Sequence, residues 1–141
     1  MNIETIQADL IDEFSMFDDW MDRYEHMIDL GKSLPLIDSK FKTEDNIIKG
    51  CQSKVWLHAD FENERVMYTA DSDAIITKGI VAILIRVFSN QSPSTILNTN
   101  TDFIDEIGLK EHLSPTRANG LVSMVKKIKM YALAYQTQIE L

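Results

Sequence analysis

The hydrophobic period of this chain changes at Val55, and that change limits the folds open to it. Val55, Leu57, Ala59 and Phe61 alternate with Trp56, His58 and Asp60. A period of two is a strand with one apolar face. Glu62, Asn63 and Glu64 supply a polar turn, and Val66, Tyr68 and Ala70 resume the alternation on a return strand. The pattern is a hairpin. A lone hairpin is marginally stable in water, so a further strand is expected to pair with it, and residues 46–49 are the candidate.

Helical spacing surrounds this hairpin. Ile3, Ile6, Leu10, Phe14 and Phe17 recur at intervals of three and four, which is one face of a helix. A second helix is predicted from about Asp19, with Trp20, Tyr24, Met27 and Ile28 as its stripe and Gly31 as its C-terminal stop. A polar, irregular stretch follows from Pro35. After the hairpin, residues 74–88 read AIITKGIVAILIRVF. Isoleucine and valine favour strands, but the segment is longer than a typical strand, and the preceding Asp71, Ser72 and Asp73 can cap a helix. It is therefore expected to be a buried helix, with Gly79 allowing close packing against the sheet. Short helices are predicted at 94–97 and 103–107. A long one follows, with Ser114 as N-cap, Pro115 at the first position and an inward stripe of Leu121, Met124, Val125, Ile128 and Ala132. Gly120 interrupts this last helix, and close packing against another backbone would account for it. Segregated strands and helices indicate an α+β fold, a small antiparallel sheet packed against several helices. The length of 141 residues, with no internal linker or repeat, fits a single domain over 1–141.

Charge narrows the function. The net charge is −8, and a nucleic-acid binder needs a basic stripe to neutralise phosphates. Anionic membranes are disfavoured for the same reason. Residues 74–88 are too short for a membrane span of about 20 residues, and Lys78 and Arg86 interrupt them. Glu4, Asp9 and Asp12 break any apolar core of a signal peptide. A single cysteine forms no internal disulfide, and a cytoplasmic location is expected. His26, His58 and His112 are far apart and show no metal-ligand spacing. A structural zinc site takes four ligands and an iron–sulfur cluster usually four thiolates, so no intrinsic metal or cofactor is expected.

Cys51 remains. Free cysteine is often a small buried hydrophobe, and that is one reading of it. Its neighbours favour another: Gly50 permits a tight loop, and Gln52 and Ser53 offer hydrogen-bond donors. Lys49 and Lys54 flank it, and nearby cations are expected to lower the thiol's pKa. With no second cysteine to resolve an oxidised form, an internal disulfide cycle is excluded. Intermolecular thiol chemistry, in which a group is accepted and handed on, is what one thiol can do.

The blocks GCQSKVWL, ADSDAIITKGIVAIL and LKEHLSPTRANGL, in this order within residues 47–130, resemble the SufE family of sulfur-acceptor proteins. The resemblance implies an α+β domain related in fold to iron–sulfur scaffold proteins of the IscU type. It implies as partners a SufS-type, pyridoxal-phosphate-dependent cysteine desulfurase and the Fe–S cluster assembly complex that receives the sulfur. It implies that Cys51 takes the outer sulfur of the desulfurase persulfide, passes it on, and so stimulates the desulfurase without being an enzyme itself. Gly50 is expected to be the hinge of a moving cysteine loop. Asp71, Ser72 and Asp73 match the DSDA block, and Arg117 and Asn119 the SPTRANG block. These residues, with Gly50, Gln52 and Ser53, are candidates for supporting the loop or touching the partner, and for the aspartates and Ser72 helix capping is the plainer role. An early-helix Arg117 opposes the helix dipole and is expected to meet an acidic or surface partner. Three other functions stay open: an allosteric adaptor that carries no sulfur, a related Fe–S scaffold, and a thiol hydrolase using His58 or His112 as base.

Overall fold

The computed structural model describes residues 2–51 and 53–140, apart from the side chains of Lys110, His112 and Glu140. Helices α1 (Ile3–Ser15) and α2 (Trp20–Lys32) come first. Each starts at a side-chain cap: Asn2 accepts from the Thr5 N–H at 2.8 Å, and Asp19 from the Asp22 N–H at 2.9 Å. Strands β1 (Val55–Glu62) and β2 (Arg65–Ser72) form the hairpin, and helices α3 (Ile75–Phe88), α4 (Pro93–Asn98), α5 (Asp102–Ile107), α6 (Leu109–His112) and α7 (Pro115–Glu140) follow. The class is α+β, as the segregated pattern predicts.

The hairpin closes through Asn63 and Glu64, both at positive φ (51° and 64°). That is the backbone twist a two-residue turn needs to match twisted strands. Register runs from Val55 opposite Ser72 to Glu62 opposite Arg65. Val55, Leu57 and Ala59 therefore share one buried face with Tyr68, Ala70 and Ser72.

Among the described residues the expected third strand does not form. Residues 46–49 contribute one isolated bridge, Ile47 to Trp56, with the Ile48 N–H donating to Val55 O at 2.8 Å. The other edge is covered in pieces. The Ile37 N–H donates to Ala70 O at 3.1 Å, and the Val66 N–H to Gln91 O at 2.9 Å. The hairpin takes its support from helices instead, the alternative route to a stable small sheet. Three tyrosines fasten α7 to it: Tyr68 donates to Ile128 O at 2.7 Å, Tyr131 to Leu57 O at 3.3 Å and Tyr135 to Ala59 O at 3.0 Å. Burial raises the Tyr68 phenol far above its ordinary value, so it stays a donor.

Helix α3 is buried on most sides, from Ile80 through Ile85 without a break. Among the described residues no helix is long and apolar enough to cross a membrane. Two glycine readings change. Gly31 lies inside α2, which ends at Lys32 and Ser33. A Cβ on Gly31 would stand 3.1 Å from Gly79 N, and one on Gly79 2.4 Å from Met27 O. Gly79 thus packs against α2 rather than the sheet, and the two glycines let α2 and α3 cross in backbone contact. Arg86 of α3 binds both carboxylate oxygens of Glu13 on α1, which also meets His26 at 3.1 Å. The Arg86 hydrogen bonds hold the Glu13 carboxyl below its ordinary value, against the opposing effect of burial.

Candidate functional site

The loop that carries Cys51 is tied at both ends. At its start lies the Ile48–Val55 hydrogen bond. At its end, Lys54 makes three bonds. Its N–H donates to Asp73 Oδ1 at 3.0 Å, and its carbonyl accepts from the Asp73 N–H at 3.2 Å and from Ser72 Oγ at 2.9 Å. Ser72 Oγ also accepts from the Ala74 N–H at 3.2 Å. The capping expectation for the DSD block is corrected here. The N-cap of α3 is Ala74, which makes no side-chain cap bond. Strand β2 runs to Ser72, so the backbone is still extended where caps were expected, and the polar side chains turn to the neighbouring loop. Asp71 faces Lys42 (2.9 Å) and Lys78 (3.4 Å) and accepts from the Ser72 N–H at 2.8 Å. Burial raises the Asp71 carboxyl, but Lys42, the Ser72 N–H and Lys78 outweigh it, so the net shift is downward.

Gly50 precedes the thiol at φ +92°, a conformation that costs a residue with a Cβ. A Cβ there would also stand 2.7 Å from Ser123 Oγ. Cys51 itself is half-buried. Its Sγ donates to Gly120 O at 3.7 Å, and a Cβ on Gly120 would lie 3.4 Å from Sγ and 3.5 Å from Cys51 Cα. The glycine interrupting α7 is thus the seat of the cysteine. Beside it is a recess of about 10 Å³ lined by Cys51, Thr77, Ile80, Arg117, Gly120 and Met124. That is scarcely space for one water.

The expectation of a lowered thiol pKa is corrected. Burial raises Cys51 above its ordinary value. Lys49 and Lys54 are exposed to solvent, where screening weakens their field, while the thiol loses water at its seat.

The remaining candidates divide. Arg117 is half-buried on the recess wall. Of the acidic or surface partner expected for it, the acidic one is not seen: among the described residues no carboxylate forms an ion pair with Arg117. Its N–H donates to Ser114 Oγ at 3.3 Å, the N-terminal cap of α7. Asn119 is exposed and does not line the recess; its carbonyl accepts from Ser123 Oγ at 3.2 Å. Ser53 is half-buried in the loop, and Gln52 lies outside the described residues. Thr77, Ile80, Met124 and Ser123 join the site without having been singled out by sequence. Met124 read only as part of the inward stripe of the last helix and Ile80 only as part of a buried helix, and nothing in their spacing points to sulfur.

No histidine of the described side chains lines the recess. His58 stacks on Phe41 at 3.7 Å between ring centroids and meets Asp60 Oδ1 at 3.1 Å, and His26 is engaged by Glu13. A cysteine hydrolase needs its base at hydrogen-bond distance. Among the described residues no three His, Cys, Asp or Glu side chains gather as a metal-binding group.

Residues 8–132 match the SufE family model, described as an Fe-S metabolism associated domain. An uncharacterized SufE-like protein of Rhizobium meliloti is 44% identical over 128 residues, covering 87% of this chain and 91% of that protein. SufE-like protein 1, chloroplastic/mitochondrial, of Arabidopsis thaliana is 42% identical over 84% of this chain, which spans 32% of that longer protein. The solution structure of a hypothetical protein from Thermus thermophilus superposes with a TM-score of 0.78 over 94% of this chain and 96% of that one, at 19% identity. That likeness concerns the fold.

Fold and site together define a small α+β protein that holds one thiol, half-covered, at the foot of a hairpin. The chain belongs to the SufE family. Membership places it in Fe–S metabolism.

Proposed function

We propose that Cys51 is a sulfur acceptor serving a SufS-type cysteine desulfurase. The Cys51 thiolate attacks the outer sulfur of the desulfurase persulfide. A new S–S bond forms on Cys51, the donor's S–S bond breaks, and the donor cysteine leaves as a thiolate. The proton lost by Cys51 balances the one the donor thiolate can take up, and no oxidant is needed. The persulfide then moves to the Fe–S assembly complex by the same exchange. Removing sulfur from the desulfurase frees its cysteine for the next turnover, which is how a protein that is not itself an enzyme stimulates one.

The observation that carries this reading is the seat of Cys51 on Gly120. A persulfide must be kept from stray thiols, and a sulfur half-covered by the α7 backbone at Gly120 is harder for them to reach than one on an open loop. The same seat raises the pKa of the resting thiol and so lowers its thiolate fraction. Transfer then requires the loop to leave it, and Gly50, with its left-handed backbone, is the residue about which it turns. Ile48 and Lys54 anchor the two ends of the moving segment, so Ser72 and Asp73 act as its supports. Arg117 supplies a positive charge on the recess wall, suited to a persulfide anion. A compartment where thiols stay reduced suits this chemistry.

Intact mass after incubation with a cysteine desulfurase and free cysteine tests the reading. A gain of one sulfur, lost in Cys51→Ser, is expected, together with loss of desulfurase stimulation in that variant. Stimulation that survives Cys51→Ser identifies a pure adaptor and ends the carrier account.

A further inference from the structure

A groove of about 260 Å³ opens beside the cysteine loop, between residues 47–49 and one face of α7. Ser123, Lys126, Lys127 and Met130 line it, at helical spacings of three and four that set them on one side. Its floor is apolar, from Ile47, Ile48 and Met130. Met130 is 61% exposed, and Leu133, one helical step further, is 56% exposed. Three ammonium groups border this floor: Lys49, Lys126 and Lys127.

The chain carries a net charge of −8, yet these three cations share one groove. Among the described residues none of the three forms an ion pair with an Asp or Glu, and Lys127 stands over the Tyr131 ring at 5.4 Å, a contact that leaves its charge in place. Cations left unneutralised over an apolar floor complement an anionic surface that also has apolar side chains to bury. A nucleic acid offers phosphates but would be repelled by the rest of the molecule. An acidic protein segment fits both parts of the groove. Its position is also informative. The 47–49 wall leads directly into Gly50 and Cys51, and Ser123 is the residue against which Gly50 is packed. Whatever occupies the groove leans on the base of the thiol loop.

We infer that this groove docks an acidic, partly apolar segment of the cysteine desulfurase, with Lys49, Lys126 and Lys127 as its electrostatic contacts. The inference rests on the proposed function for the identity of the partner. The test is the affinity of full-length Lys126→Glu/Lys127→Glu protein for a purified SufS-type desulfurase, titrated at low and high salt. Reversing the two charges is expected to weaken binding about tenfold at low salt, and to flatten the salt dependence. Lys126→Gln/Lys127→Gln, which keeps chain length without the charge, is expected to give a smaller loss in the same direction and serves if the glutamates disturb folding, as read from the melting temperature. Affinity within about twofold of the unaltered protein overturns the inference, as does tighter binding or an unaltered protein that does not bind the desulfurase at all. Sedimentation showing a dimer of the unaltered chain that the double variant dissolves would make the occupant a second copy, and a labelled DNA oligonucleotide bound through the same lysines would make it a nucleic acid. Either result also overturns it. Failure of the carrier reading looks different: the desulfurase binds the unaltered protein more tightly than the variant, but Cys51 gains no sulfur.

Discussion

The Cys51 sulfur lies 3.7 Å from the carbonyl oxygen of Gly120, a residue 69 positions further along the chain. The contact joins the loop before β1 to the first turns of α7. It makes the exposure of the thiol depend on how well one side chain fits one helix.

Filling the seat should expel the sulfur. An alanine at position 120 would put its Cβ 3.4 Å from Sγ, an ordinary contact, and Gly120→Ala is expected to be tolerated, with up to about 1 kcal/mol gained from helix propensity. Gly120→Leu has no such room. Its Cys51 should react with iodoacetamide several-fold faster than in the unaltered protein. An unchanged rate in Gly120→Leu would show that the seat does not control access.

Gly50→Ala meets two obstacles. The backbone at φ +92° is unfavourable for alanine, and the new Cβ would stand 2.7 Å from Ser123 Oγ. A loss of about 1–3 kcal/mol is expected in urea denaturation. Adding Ser123→Ala removes the close contact but leaves the backbone strain, so the double variant should recover only part of the loss. Full recovery would mean the backbone conformation costs nothing.

The pH dependence of alkylation reads the environment of the thiol. Burial raises the Cys51 pKa in the folded protein, so at a given pH the folded chain holds less thiolate than an unfolded one. The folded protein therefore binds this proton more tightly. Its stability should fall slightly once the pH passes the unfolded thiol value of about 8.5. The alkylation rate of the folded protein should still be climbing where a free cysteine has levelled off. A plateau below the free-cysteine midpoint would instead mean that the flanking lysines dominate.

The crossing of α2 and α3 should be the least forgiving place in the core. A Cβ on Gly79 would lie 2.4 Å from the Met27 carbonyl oxygen, a backbone atom that cannot rotate away. Gly79→Ala must push the helices apart and is expected to cost about 1–3 kcal/mol, of the size seen for overpacked cores. A melting temperature unchanged from the unaltered protein would show that the two helices slide freely.

Much of this was legible in the residues themselves. The alternation from Val55 to Ala70, the stripes of α1, α2 and α7, and the Ser114–Pro115 start of the last helix are local patterns. Local patterns suffice because side-chain period is set by backbone geometry alone. The third strand failed as an expectation because strand pairing is decided by what covers an edge. Here that is a set of single bridges and tyrosine hydroxyls drawn from residues far apart.

The same division holds at the thiol. That there is one cysteine, preceded by a glycine and followed by a DSD block, is a property of the sequence, as is the match to the SufE family over residues 8–132. That the thiol is covered rather than activated was decided by tertiary structure. Flanking lysines are visible as neighbours in sequence, but the burial that raises the thiol arises where Cys51 meets Gly120 of α7, beside a recess that Ile80 of α3 and Met124 of α7 also line. Solvation is a property of the space around an atom, and only the folded chain has that space.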